Sequence, residues 1–279
     1  MFNYEKLTTD LPKSLFVPSS VEQFIASGRI RRPYWFLKFF KRLLIYWVIG
    51  RCMGVIAEKQ SVVQSKKILW IHHSAPSIGD CLMDLGARVL LADKQVDLLT
   101  YEKNASLFAE DNWFRKIFYK PAQVNEKYDV VLCDSYAPRV LLRKMLASPE
   151  APIATMYGFL NGFDLNRTYF GFARMLDLLE KENCSWPMRP YLTKTLEIET
   201  GADVCIAVTG EWPFRTYQHW HLVIEKLLSY NVKIHLVGGI KDQESHKALI
   251  QKFPSLKSSA GNQLCEVASE ISNTPFFIG

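Results

Sequence analysis

Two short stretches bring together side chains able to do chemistry. The first, Ser74-Ala-Pro-Ser77-Ile-Gly79-Asp80, follows an apolar run, KILWI, and precedes a helix-like stretch. Free N–H groups at a helix start favour an anion, and glycine lets backbone approach a ligand. A carboxylate placed there can take a proton from a bound hydroxyl, which would make Asp80 a general base. The same residue type at the same place is also a common helix cap, and the local pattern does not separate the two roles. The other stretch is Thr209-Gly210-Glu211-Trp212-Pro213-Phe214-Arg215. Arg215 would neutralise a phosphate whose charge grows as it departs, and Thr209 with the backbone at Gly210 would add hydrogen bonds. A solvated arginine near a helix start is the equally simple reading.

Other chemistries find less support. Neither stretch has the glycine spacing of a dinucleotide fingerprint or the GK[ST] ending of a phosphate loop. His219 and His221 stand two apart, which on a helix aims them at different faces, so no metal is expected there. His72 and His73 read as the end of a strand, one ring packed and one lining a cleft. Cysteines at 52, 81, 133, 184, 205 and 265 are scattered singly, which suggests neither a disulfide framework nor a zinc site and fits a reducing cytoplasm.

These stretches sit in an alternation of short β-like and helical runs that begins near residue 66, the pattern of βα units around a parallel sheet. Strands are predicted at 67–72, 96–101, 116–119, 128–133 and 153–157, with helices at 79–92, 104–110, 138–146 and 168–182. After a proline-containing linker at 184–190 come strands at 204–209, 233–237 and 275–278 and helices at 217–230, 243–253 and 263–272. The expected fold is α/β, with two Rossmann-like domains at 66–190 and 191–279. The domain at 191–279 reads as incomplete, since it offers only three predicted strands.

Residues 1–62 hold ten Lys/Arg against four Asp/Glu, while the remainder holds twenty-four of each, so the net charge of +6 lies wholly at the amino-terminal end. Basic and aromatic residues interleave there, as in Arg31, Arg32, Tyr34, Trp35, Lys38 and Phe39. Residues 1–65 are therefore expected to form a basic, aromatic helical extension, in which 29–59 either lie on an anionic membrane surface or pack as an ordinary helix. The longest apolar run, eight residues at 43–50, is far short of the roughly 18–20 that span a bilayer. No secretory signal is visible, and the basic residues do not extend into the body of the chain as nucleic-acid binding would require.

The succession KILWIHHSAPSIGDCLMDLGARVLL, VCIAVTGEWPFRTYQHWHLVIEKLL, KIHLVGG and GNQLCEVASEISNTPFFIG resembles the heptosyltransferases, glycosyltransferase family nine, over about residues 66–279. The resemblance implies a GT-B-like architecture in which two Rossmann-like domains face a cleft, the first holding the acceptor and the second the nucleotide sugar. Asp80 falls on the family's catalytic base, with Ser77 and Gly79 in the acceptor-side loop. Arg215 falls near the family's donor-diphosphate lysine, with Thr209 and Gly210 beside it. The implied reaction is inverting transfer of a sugar, such as heptose, to a lipopolysaccharide or other lipid-linked or surface-glycan acceptor. It needs no metal or cofactor beyond the nucleotide-sugar donor, and would take place in the cytoplasm, peripherally at the inner face of the cytoplasmic membrane. In the family the strand ending FFIG is followed by an Asp-[Ser/Thr]-Gly-x-x-His donor segment, so the chain reads as truncated. The competing expectation is a non-catalytic remnant serving as a binding or membrane-associated module.

Overall fold

The computed structural model describes residues 59–109, 111–157, 166–192, 198, 200–210 and 213–279, with isolated positions 37, 40, 41 and 44. The membrane-surface segment expected at 29–59 lies almost wholly outside the described residues. The end of the extension forms a short helix, α1 (Lys59–Gln64). The described residues fall into two compact units, one comprising those up to 105 and 111–192, the other 106–109 and those from 198 onward.

The first unit is a five-stranded parallel sheet with helical crossovers. In chain order it runs β1 (Lys67–Ile71), α2 (Ile78–Asp84), β2 (Gln95–Leu99), α3 (Glu102–Ala105), β3 (Lys116–Phe118), β4 (Val130–Cys133), α4 (Pro138–Ala147), β5 (Ile153–Thr155) and α5 (Arg167–Leu178). The strands are ordered β3-β2-β1-β4-β5. Strand β1 is central, and Ile68, Leu69, Trp70 and Ile71 are fully buried, as a parallel strand covered on both faces demands. From β1 the chain steps toward β2 on one side and returns at β4 on the other. Loops leaving β1 and β4 diverge there, which makes their carboxyl ends the switch point of the sheet.

The helix expected over 79–92 is divided. α2 stops at Asp84, and Gly86–Leu91 tightens into a fully buried 3-10 stretch. Close packing explains the change, since a Cβ on Gly86 would lie 3.0 Å from the Arg189 carbonyl oxygen. The Arg88 guanidinium also donates to the Leu85 and Tyr191 carbonyls at 3.0 and 2.7 Å and to Asp111 at 2.6 Å. The predicted linker at 184–190 is thus no free tether, for Trp186 and Tyr191 pack edge-on with ring centroids 5.7 Å apart beside Trp113. The helix predicted at 168–182 ends at Leu178, where Glu180 takes a left-handed φ of 54° and the Lys181 N–H closes on the Leu176 carbonyl at 3.0 Å.

The second unit runs β6 (Val204–Ile206), α6 (Trp220–Leu228), β7 (Ile234–Leu236), α7 (Gln243–Lys252), β8 (Lys257–Ser258), α8 (Leu264–Ser272) and β9 (Phe276–Ile278). Its parallel sheet is ordered β8-β7-β6-β9, and the sequence reading missed β8, a two-residue strand too short for any periodicity. Val204, Ile206, Ile224, Leu236 and Leu256 form its core. Helix α6 starts at Trp220 rather than at 217, because a 3-10 turn at Pro213–Arg215 precedes it. Strand β9 pairs with β6 on one edge only, and all three of its residues are exposed.

Candidate functional site

In the first unit the loop from β1 to α2 lies at the switch point. Ser77 is the N-cap of α2, its hydroxyl accepting the Asp80 N–H at 3.2 Å. Asp80 is therefore not the cap. Its carboxylate, one-third exposed, pairs instead with Arg167 Nη1 at 2.9 Å. Gly79 is exposed, and a Cβ built on it would meet no atom within 4 Å, so space is open at the residue next to Asp80.

Behind Asp80 stands a buried polar network that the sequence did not announce. Asp84, one helical turn on, binds Arg167 through Nε and through Nη2 at 2.7 Å, His72 Nε2 at 3.0 Å and the Tyr157 hydroxyl. Burial works to raise the Asp84 pKa, yet the His72 and Arg167 partners outweigh it and hold the group below the ordinary carboxylate range. Burial likewise works against charge on His72, but Asp84, with help from Cys81 and Asp134, moves its pKa well above 6.5. Asp134, at the end of β4, accepts the backbone N–H groups of His73 and Ser74 at 2.7 and 2.5 Å and fastens the β1 loop to β4. Its own pKa is raised, chiefly by burial.

The expectation that one of the adjacent histidines lines a cleft fails, because His72 and His73 are both buried. His73 packs edge-on to Tyr101 with ring centroids 4.4 Å apart. Burial, followed by the nearby Arg143, His72 and Arg139 charges, pushes its pKa down to about 3. The only sequence hint of the network was Asp84 four residues after Asp80, on the same helix face. Arg167 and Tyr157 are distant in the chain, and no local pattern ties them to the loop.

In the second unit a cavity of about 570 Å³ opens at the carboxyl ends of β6 and β9. Thr209, Gly210 and Arg215 line it together with Tyr217, Trp220 and Gly279, so all three sequence candidates meet at one opening. The Gly210 N–H donates to Thr216 Oγ1 at 3.1 Å. A Cβ there would fall 2.9 Å from Arg215 Cβ and 3.0 Å from its carbonyl oxygen, so the turn that brings Arg215 to the cavity requires glycine. The Arg215 guanidinium lies over the Phe214 ring at 5.7 Å and has no carboxylate partner among the described residues. His219 stands just outside α6 and His221 within it, their rings 6.2 Å apart. Among the described residues no three His, Cys, Asp or Glu side chains converge as a metal site.

No protein-family model and no curated protein matches the sequence. Solved structures do match. A glycosyl transferase family 9 protein from Veillonella parvula aligns with a TM-score of 0.61 at 10% identity, over 76% of this chain and 75% of the other. The E. coli heptosyltransferase WaaC, solved with ADP-2-deoxy-2-fluoro heptose, aligns with a TM-score of 0.58 at 14% identity, covering 76% and 81%. E. coli ADP-heptose lps heptosyltransferase II gives 0.60 at 15% identity, covering 76% and 78%. The chain shares the GT-B-like α/β fold of the heptosyltransferases. At these identities the likeness is one of fold, and the chemistry rests on the residues just described.

Proposed function

We propose that the chain is an inverting glycosyltransferase that moves a sugar, heptose being the favoured case, from a nucleoside-diphosphate donor to a lipid-linked or surface-glycan acceptor. The observation that carries the reading is the cavity in the second unit, where Thr209, Gly210 and Arg215, which has no carboxylate partner among the described residues, gather at the carboxyl edge of a parallel sheet. A diphosphate leaving group needs such a cation, and the guanidinium with nearby backbone donors would bear the developing charge without a metal. Asp80, with open space at the adjacent Gly79, would take the proton from the acceptor hydroxyl as that oxygen attacks the anomeric carbon from the face opposite the departing diphosphate. The solved relative WaaC carries ADP in one structure and an ADP-heptose analogue in another, which makes ADP the first nucleotide to test. The proposed location is the cytoplasm, at the membrane's inner face. None of the described helices is long and apolar enough to cross a membrane.

Calorimetric titration of the full chain with ADP, UDP and GDP tests the donor half. Saturable binding weakened about tenfold or more by Arg215→Ala is expected, the loss of a charge-assisted contact. Absence of binding to all three would overturn the transferase reading and leave a non-catalytic binding module. For the base, Asp80→Asn is expected to lower transfer by about 10²–10⁴-fold while nucleotide affinity stays unchanged. Undiminished transfer would remove Asp80 from its role.

A further inference from the structure

Helix α4 (Pro138–Ala147) is covered on one side only. Val140, Leu141, Lys144 and Ala147 are buried. Leu142, Met145 and Leu146, at i, i+3 and i+4, lie in one row on the other side and are 56%, 44% and 65% exposed. Turning 100° per residue places Arg139 and Arg143 in a second row directly beside the first. Neither arginine has a hydrogen bond or ion pair among the described residues. Lys144 is not part of the exposed set, since its ammonium turns inward and donates to the Pro149 carbonyl at 2.6 Å. The sequence contains no acidic residue between Asp134 and Glu150, so nothing on the helix offsets the two charges.

From this arrangement we infer that the exposed side of α4 is a docking surface for an anionic lipid bilayer. Flexible Leu and Met side chains without a hydroxyl or amide among them offer no directional recognition, which favours a fluid apolar phase over a structured protein face. The exposed Arg139 and the half-buried Arg143, without ion-pair partners among the described residues, are placed alongside to meet phosphate headgroups while the apolar row reaches the acyl boundary. The helix begins just after β4, on the sheet edge that carries Asp80. Docking would hold that edge within a helix length, about 15 Å, of the headgroups. The proposal rests on the residues of α4 and does not depend on the transferase reading.

The test is co-sedimentation of the full chain with phosphatidylcholine vesicles and with vesicles containing about one-third phosphatidylglycerol. Wild type is expected to partition onto the anionic vesicles and not the neutral ones. The double variants Arg139→Gln/Arg143→Gln and Leu142→Ser/Leu146→Ser are each expected to weaken partition about tenfold or more. Arg139, Leu142 and Leu146 are exposed and Arg143 is half-buried, so unchanged circular dichroism and melting temperature serve as the folding control. A wild-type chain that stays in solution overturns the proposal, as does binding that either double variant leaves intact. Nucleotide titration of the same variants should match wild type, which keeps the outcome distinct from that of the transferase test.

Discussion

Arg167 joins two carboxylates of different standing, one buried at Asp84 and one partly open at Asp80. Its removal should therefore show in two ways. Arg167→Met leaves Asp84 with only His72 and Tyr157, and is expected to cost about 2–4 kcal/mol of stability, discounted because Arg167 itself is partly exposed. It also frees Asp80, so kcat should fall while donor KM is unchanged, with Arg167→Lys restoring part of kcat. Steady-state kinetics beside denaturant melts would separate these effects. The neighbouring histidines give a pH signature. His73 in the folded chain resists protonation down to about 3, against about 6.5 unfolded, so stability falls as pH drops below 6.5. Between pH 7 and 5 this amounts to about 2 kcal/mol. His72 works the other way. Its raised folded pKa contributes stability that is present below 6.5 and lost as pH rises through the folded value. The pair predicts a stability maximum near pH 6.5, and His73→Phe should flatten the acid side alone.

Short elements decide how much of this the sequence could disclose. Apolar runs such as KILWI and VVLC belong to buried parallel strands and stand out in any reading. Helix ends were harder, because they depend on groups brought from elsewhere. α2 yields to a 3-10 turn where Gly86 meets the Arg189 backbone, a contact across the unit that no window of sequence contains. The loops around Asp80 and Arg215 were visible because strand–loop–helix chemistry is local. The Asp84, His72, Asp134 and Arg167 network was not, since its members come from β1, α2, β4 and α5 and meet only in the folded sheet. At the end of α5 the left-handed Glu180 gives an element-scale prediction. Glu180→Gly should relieve the strained φ and add about 0.5–1 kcal/mol, read as a higher melting temperature.

Across the whole molecule the chemistry is divided, with the carboxylate loop in one unit and the arginine-lined cavity in the other. A ligand that binds the cavity should thus stabilise the second unit selectively, by RT ln(1 + [L]/Kd). Hydrogen exchange with and without saturating ADP is expected to show new protection at 207–217 and 277–279 and none at 67–99. Protection of the first sheet alone would place the nucleotide elsewhere. Strand β9 carries a different consequence, one of handling and solubility. Phe276 and Phe277 are 69% and 50% exposed on a strand whose outer row of backbone donors and acceptors is unpaired among the described residues. Such a row is a template for another strand, and two aromatic side chains make it adhesive. Concentrated solutions should scatter light increasingly over hours, and a lysine at this edge, as in Phe276→Lys, should keep them clear.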